Sequence, residues 1–109
     1  MYIKKQIEIN NSGNFAEYWI ADIKSVDLMF YPKISILMSG YKDEQAFLDE
    51  KERAMVIRVE TTASELELSG SIGYANIPKL YELLTTKTVL VDEEEKPGYP
   101  DFFGGEIIE

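Results

Sequence analysis

The acidic side chains are the residues with which this sequence could do chemistry. Asp43-Glu44, Asp49-Glu50, Glu52 and the run Asp92-Glu93-Glu94-Glu95 bring carboxylates close together. Paired carboxylates can hold divalent cations or act as general acid and base. A calcium loop needs oxygen ligands at alternating positions and a glycine for its sharp turn, and neither cluster has that spacing. A glycosidase needs two carboxylates brought together across the fold, which nothing in the spacing indicates. Gly70, Gly73, Gly104 and Gly105 are not followed by the lysine of a phosphate-binding loop. The clusters read as solvated, charged surface.

Two missing residue types narrow the chemistry further. The 109 residues contain no Cys and no His. Disulfides, thiolate nucleophiles, zinc ribbons and iron–sulfur clusters all need the first. The commonest general base near neutral pH needs the second. Carboxylate, Lys, Tyr or Ser chemistry would remain, and the expectation is a non-enzymatic protein with no catalytic residue, no cofactor and no metal site.

The balance of 11 basic and 20 acidic residues gives a net charge of −9. Duplex DNA is bound by clustered Lys and Arg that release counterions, whereas the only arginines here are Arg53 and Arg58. Nucleic acid is therefore not expected as a direct partner. Imitation of DNA by a small acidic inhibitor stays open. The start Met1-Tyr2-Ile3-Lys4-Lys5 is basic but is interrupted by Gln6, Glu8 and Asn10, which is not the pattern of a leader. No window reaches the about 18 apolar residues of a membrane span, so no membrane contact is expected.

The elements that must position these residues are mostly strands. Ile3, Lys5, Ile7 and Ile9 alternate with Lys4, Gln6 and Glu8, the period of two of a half-buried strand. Asn10-Asn11-Ser12-Gly13-Asn14 is a run of turn formers. In the next stretch Phe15, Trp19, Ala21 and Ile23 share one parity, and beyond Lys24-Ser25 the apolar set switches to Val26, Leu28 and Phe30. That switch predicts a bulge or break at residues 24–25. Tyr31-Pro32-Lys33 reads as a turn, because Pro lacks the donor a central strand needs.

Ile34, Ile36 and Met38 then face one way and Ser35, Leu37, Ser39 and Tyr41 the other, as in a central strand. Gly40 marks a place where another backbone or a large side chain comes close. Tyr18, Trp19, Phe30 and Tyr41 read mostly as core. Asp43 to Arg53 reads as a connecting loop, with one helical turn pinned by Phe47. Met55 to Glu60 and Leu66 with Leu68 read as further strands, and Ser69-Gly70-Ser71 as a turn before a short extension at Ile72-Gly73-Tyr74.

A helix is predicted over 77–86. Ile77, Leu80, Tyr81 and Leu84 form its apolar stripe, with Asn76 as N-cap and Pro78 in the first turn. Val89-Leu90-Val91 adds a strand. The fold class is thus mainly β (α+β by strict count). It is an antiparallel sheet or sandwich of about five to seven strands with one helix in the C-terminal half.

The domain organisation is read as residues 1–91 in a single β-rich domain, followed by 92–109 as an acidic linker and an apolar C-terminal tail. Pro97, Gly98 and Pro100 oppose regular structure there. Tyr99, Phe102, Phe103, Ile107 and Ile108 are costly to leave in water and are the candidate interaction residues. The tail is expected to dock on a neighbouring subunit or on the protein's own sheet, with the neighbour slightly favoured.

Several segments together carry a resemblance. Tyr18-Trp19-Ile20 and Val26 precede Ile34-Ser35-Ile36-Leu37-Met38-Ser39-Gly40-Tyr41 and a charged linker, Lys42 to Arg53, that contains Ala46 and Lys51. Leu80-Tyr81-Glu82-Leu83-Leu84 later precedes Tyr99-Pro100-Asp101-Phe102-Phe103-Gly104-Gly105-Glu106. Across residues 15–106, with the stretch 85–98 departing from the pattern, this arrangement resembles small virion proteins of tailed bacteriophages and prophages. The resemblance implies a structural component of the tail, baseplate or neck, made in the bacterial host cytoplasm and carried in the virion. It implies no catalytic residues, and as partners other virion proteins and further copies of the chain in a symmetric oligomer. The competing expectations are a small acidic phage-coded inhibitor or DNA mimic that binds a host protein, and an enzyme built on carboxylates.

Overall fold

The computed structural model describes residues 1–27, 33–62, 64–66 and 77–109, with the side chains of 23–27 and 33 outside that description. The expectations at Leu28, Phe30, Tyr31-Pro32, Leu68, Ser69 to Tyr74 and Asn76 therefore lie outside the described residues. The elements run β1 (Tyr2–Glu8), β2 (Phe15–Asp27), β3 (Lys33–Tyr41), α1 (Glu44–Leu48), β4 (Met55–Thr62), α2 (Ile77–Thr86), β5 (Thr88–Val91), β6 (Glu94–Pro97) and β7 (Glu106–Ile108). Five strands make an antiparallel sheet in the order β4-β3-β2-β1-β7, and β5 pairs with β6 in a separate hairpin. The protein is mainly β, with seven strands and a ten-residue helix, α2, at the predicted position among the described residues.

Alternation places the core. Ile34, Ile36 and Met38 of β3 are buried and join Trp19 and Val59 from the flanking strands β2 and β4 and Ile3 from β1. Leu80, Tyr81 and Leu84, at helical spacing on α2, complete the same cluster with Leu66 and Phe102. Leu66 reaches it from a turn rather than a strand: its amide donates to the Thr62 carbonyl at 3.1 Å. β3 is central, between β2 and β4, as its two-sided apolar pattern predicts.

Two irregularities adjust the sheet. Ile3 lies opposite Trp19 and Lys4 opposite Tyr18, but Ile7 lies opposite Ala16, so β1 carries an extra residue between Lys4 and Ile7. The bulge has a consequence on β2: Ala16 is buried, while Phe15, expected on the Trp19 face, is 40% exposed. The carbonyl of Lys5, within the bulge, accepts the Trp19 indole N–H at 3.0 Å. The second irregularity falls on β2 between Asp22 and Asp27, spanning the bulge predicted at 24–25.

Left-handed backbone shapes both the β1–β2 and the β5–β6 connections. Asn10, Asn11 and Gly13 have φ of 47°, 56° and 81° in the β1–β2 connection, conformations that Asn and Gly tolerate. Between β5 and β6, Asp92 and Glu93 have φ of 53° and 68°. Val91 pairs with Glu94 across them, which is the two-residue type I′ hairpin. The expected acidic spacer at 92–95 is therefore corrected: it is the tip and first half of a hairpin strand.

Candidate interaction surfaces

Four of the five candidate interaction residues have defined places on the chain's own body. Phe102 is fully buried, edge-on to Trp19 with ring centroids 5.2 Å apart. Ile107 lies opposite Ile3 and Ile108 opposite Tyr2, which makes β7 the fifth strand of the sheet. The Tyr99 hydroxyl donates to the Glu60 carbonyl at 2.7 Å, and the Lys87 ammonium lies 5.7 Å from the Tyr99 ring centroid. Phe103 is half-buried.

The preference for a neighbouring subunit is thus corrected to docking on the protein's own sheet. The physical reason lies partly in backbone groups that the sequence does not display. The last turn of a helix leaves carbonyls without intrahelical donors. Gly104 donates to Thr85 O at 2.9 Å and Gly98 to Lys87 O at 2.8 Å. The tail therefore caps α2 as well as filling the core, and the expected boundary after residue 91 does not separate two packing units.

The exposed apolar surface lies elsewhere. On β5 Val89, Leu90 and Val91 are all exposed, Leu90 at 75%. Every residue of β5 and β6 is exposed. Val89 pairs with Lys96 and Leu90 with Glu95, so the hairpin is apolar along one strand and charged along the other. Val89-Leu90-Val91 was visible as a strand, but an acidic run following it gave no sign of a hairpin.

A second surface forms on the sheet face opposite the core. Tyr18 stacks between Tyr2 and Phe47, with centroids 4.1 Å and 4.8 Å away, and Tyr41 meets both Tyr18 and Phe47 edge-on. Tyr18 and Tyr41 are thus placed in a cluster of their own rather than in the main core. Phe47 comes from α1, whose N-cap Asp43 accepts the Ala46 amide at 2.8 Å. Burial raises the Tyr18 pKa above its ordinary value, and the negative charge of Glu44 adds to the rise. A cleft of about 510 Å³ beside α1 is lined by Tyr41, Phe47, Leu48, Glu50 and Lys51. On the other side a cleft of about 200 Å³ is lined by Tyr2, Lys4, Glu17, Asp43 and Glu44.

A third cleft, about 290 Å³, lies where β4 approaches the base of the hairpin and includes Glu60, Thr61, Lys87 and Tyr99. Lys87 and Glu65 form an ion pair there at 2.7 Å. Among the described residues Thr61 Oγ1 is buried without a hydrogen-bond partner. No group of three or more acidic side chains among the described residues is placed to hold a metal ion. No helix among them is long and apolar enough to cross a membrane. Comparison with protein-family models, curated proteins and solved structures finds no match to this chain.

Proposed function

We propose that this chain is a non-enzymatic structural or assembly protein of a bacteriophage or prophage particle, acting through protein–protein contacts in a symmetric oligomer. The observation that carries the reading is the β5–β6 hairpin, with Val89, Leu90 and Val91 exposed. A two-stranded hairpin is marginal in water by itself, and uncovered apolar side chains grouped on one marks a contact with another molecule. In a closed ring each copy offers the same arm to the next. The resemblance supplies the kind of particle and the component, a tail, baseplate or neck protein. The chain is then made in the host cytoplasm and carried in the virion.

The test combines native mass measurement of the full chain with its detection in finished particles from an infected or induced host. A trimer or ring that falls apart in Leu90→Asp, together with presence in particles, supports the proposal. A monomer at all concentrations that is absent from particles overturns it in favour of the small acidic inhibitor.

A further inference from the structure

The sheet face that carries α1 is only partly covered. α1 has five residues, enough to set Phe47 against Tyr18 and Tyr41 but too short to roof the strands. Leu48, at its end, is 61% exposed beside the 510 Å³ cleft. Along the same face Ile20 lies opposite Ser39 and Ser39 opposite Val56, with Ile20 half-buried and Val56 exposed. An aromatic floor with aliphatic groups at its margin is the composition of a protein-binding patch.

The charge around this patch indicates what fits it. Asp43, Glu44, Asp49, Glu50 and Glu52 come from the connection that carries α1, and Glu17 lies with Asp43 and Glu44 in the adjoining cleft. The cations nearby in sequence or in the clefts are Lys4, Lys42, Lys51 and Arg53, and the Arg53 guanidinium donates to the Ser39 hydroxyl at 3.4 Å. Carboxylates are in excess. A second copy's hairpin would bring Asp92, Glu93, Glu94 and Glu95 against them, and like charges brought together across an interface cost affinity. The apolar arm is thus a poor occupant for this groove.

We infer that the α1 face docks a basic amphipathic segment of a different protein, its apolar side on Tyr41, Phe47 and Leu48 and its cations among the surrounding carboxylates. This surface is separate from the hairpin and does not depend on the assembly reading.

The probe is a labelled amphipathic peptide of Leu and Lys, titrated against the full chain, with a Leu and Glu peptide of the same pattern as control. The Leu/Lys peptide is expected to bind, more weakly as salt rises. Leu48→Asp is expected to weaken binding by about tenfold or more, as loss of a buried anchor does. Because Leu48 is mostly exposed, its melting curve should stay as in the unsubstituted protein. Glu44→Lys with Glu50→Lys is expected to weaken binding as well, and Leu90→Asp to leave it unchanged. Equal binding of both peptides, unchanged binding by Leu48→Asp, or loss of binding in Leu90→Asp would overturn the inference. So would a change in oligomeric mass in Leu48→Asp, which would make the face a contact between copies. None of these outcomes alters the native-mass result for the hairpin variant.

Discussion

Gly40 lies directly across the ladder from Trp19, and a β-carbon on Gly40 would sit 2.5 Å from Cη2 of the indole. Carbon atoms do not approach that closely, so the six-membered ring occupies the space that glycine leaves open. Gly40→Ala is expected to destabilise the protein by about 1–3 kcal/mol through overpacking. Adding Trp19→Phe should make the alanine less costly than it is alone, because the smaller ring withdraws from that space. Denaturant melts of the two single variants and the double variant measure this coupling.

Phe102 is expected to behave as a core residue. It is fully buried against Trp19, so Phe102→Ala and Trp19→Ala should each cost about 3–5 kcal/mol. Removal of residues 97–109 takes away Phe102, β7 and the amides that cap α2, and should abolish cooperative melting. A truncated chain that melts like the full one would show that the sheet closes without its fifth strand.

Tyr81 joins the helix to the sheet through one hydrogen bond, accepted from the Ala21 amide at 2.9 Å. Burial raises its pKa above the ordinary tyrosine value, and the bond from Ala21 opposes the rise only in part. The folded state thus keeps this proton more firmly than the unfolded chain does. The associated stability is fully present below about pH 10 and is lost as pH rises through the folded-state pKa. Tyr81→Phe should cost about 1–3 kcal/mol at neutral pH by leaving the Ala21 amide without its acceptor. The variant should also lose stability less steeply in alkali, with the remaining slope including Tyr18, whose pKa is raised as well. Urea melts from pH 7 to 11 measure both effects.

Lys87 makes a smaller contribution. Its pKa is raised first by the hydrogen bond to Glu65, against a lowering by partial burial. The pair's contribution is present below the ordinary lysine value of about 10.4 and declines as pH rises through the raised one. Both side chains are nearly a third exposed, so solvent screening holds the pair to about 0–1 kcal/mol. Lys87→Met should therefore shift the neutral-pH melt much less than Tyr81→Phe.

What was legible in the sequence follows the range of the forces involved. Ile34, Ile36 and Met38 declare their buried face because alternation is a local pattern, and Leu80, Tyr81 and Leu84 do the same at helical spacing. Gly40 announced a close approach, and the structure supplies Trp19. The β1 bulge was not legible, since the alternation of Ile3 and Ile7 continues through it while Phe15 and Ala16 exchange places on β2. The hairpin tip was missed because Asp92 and Glu93 take left-handed backbone without the Asn-Gly or Asp-Gly pair that usually signals such a turn. The tail was legible as sticky, and Pro97 and Pro100 concealed that its final residues pair as a strand. Its acceptor, a sheet edge beside the C-terminal end of a helix, exists only in three dimensions.

The pairing of β7 with β1 sets the order in which this protein can be assembled during its own synthesis. Tyr2 meets Ile108 and Lys4 meets Glu106, a loop closure across nearly the whole chain and among the slowest kinds of contact to form. Until residues 106–108 have been made, one side of β1 stays open to strand addition by another molecule. For that interval the nascent chain has an aggregation hazard that the finished fold closes only over Tyr2 to Lys4, with a strand three residues long.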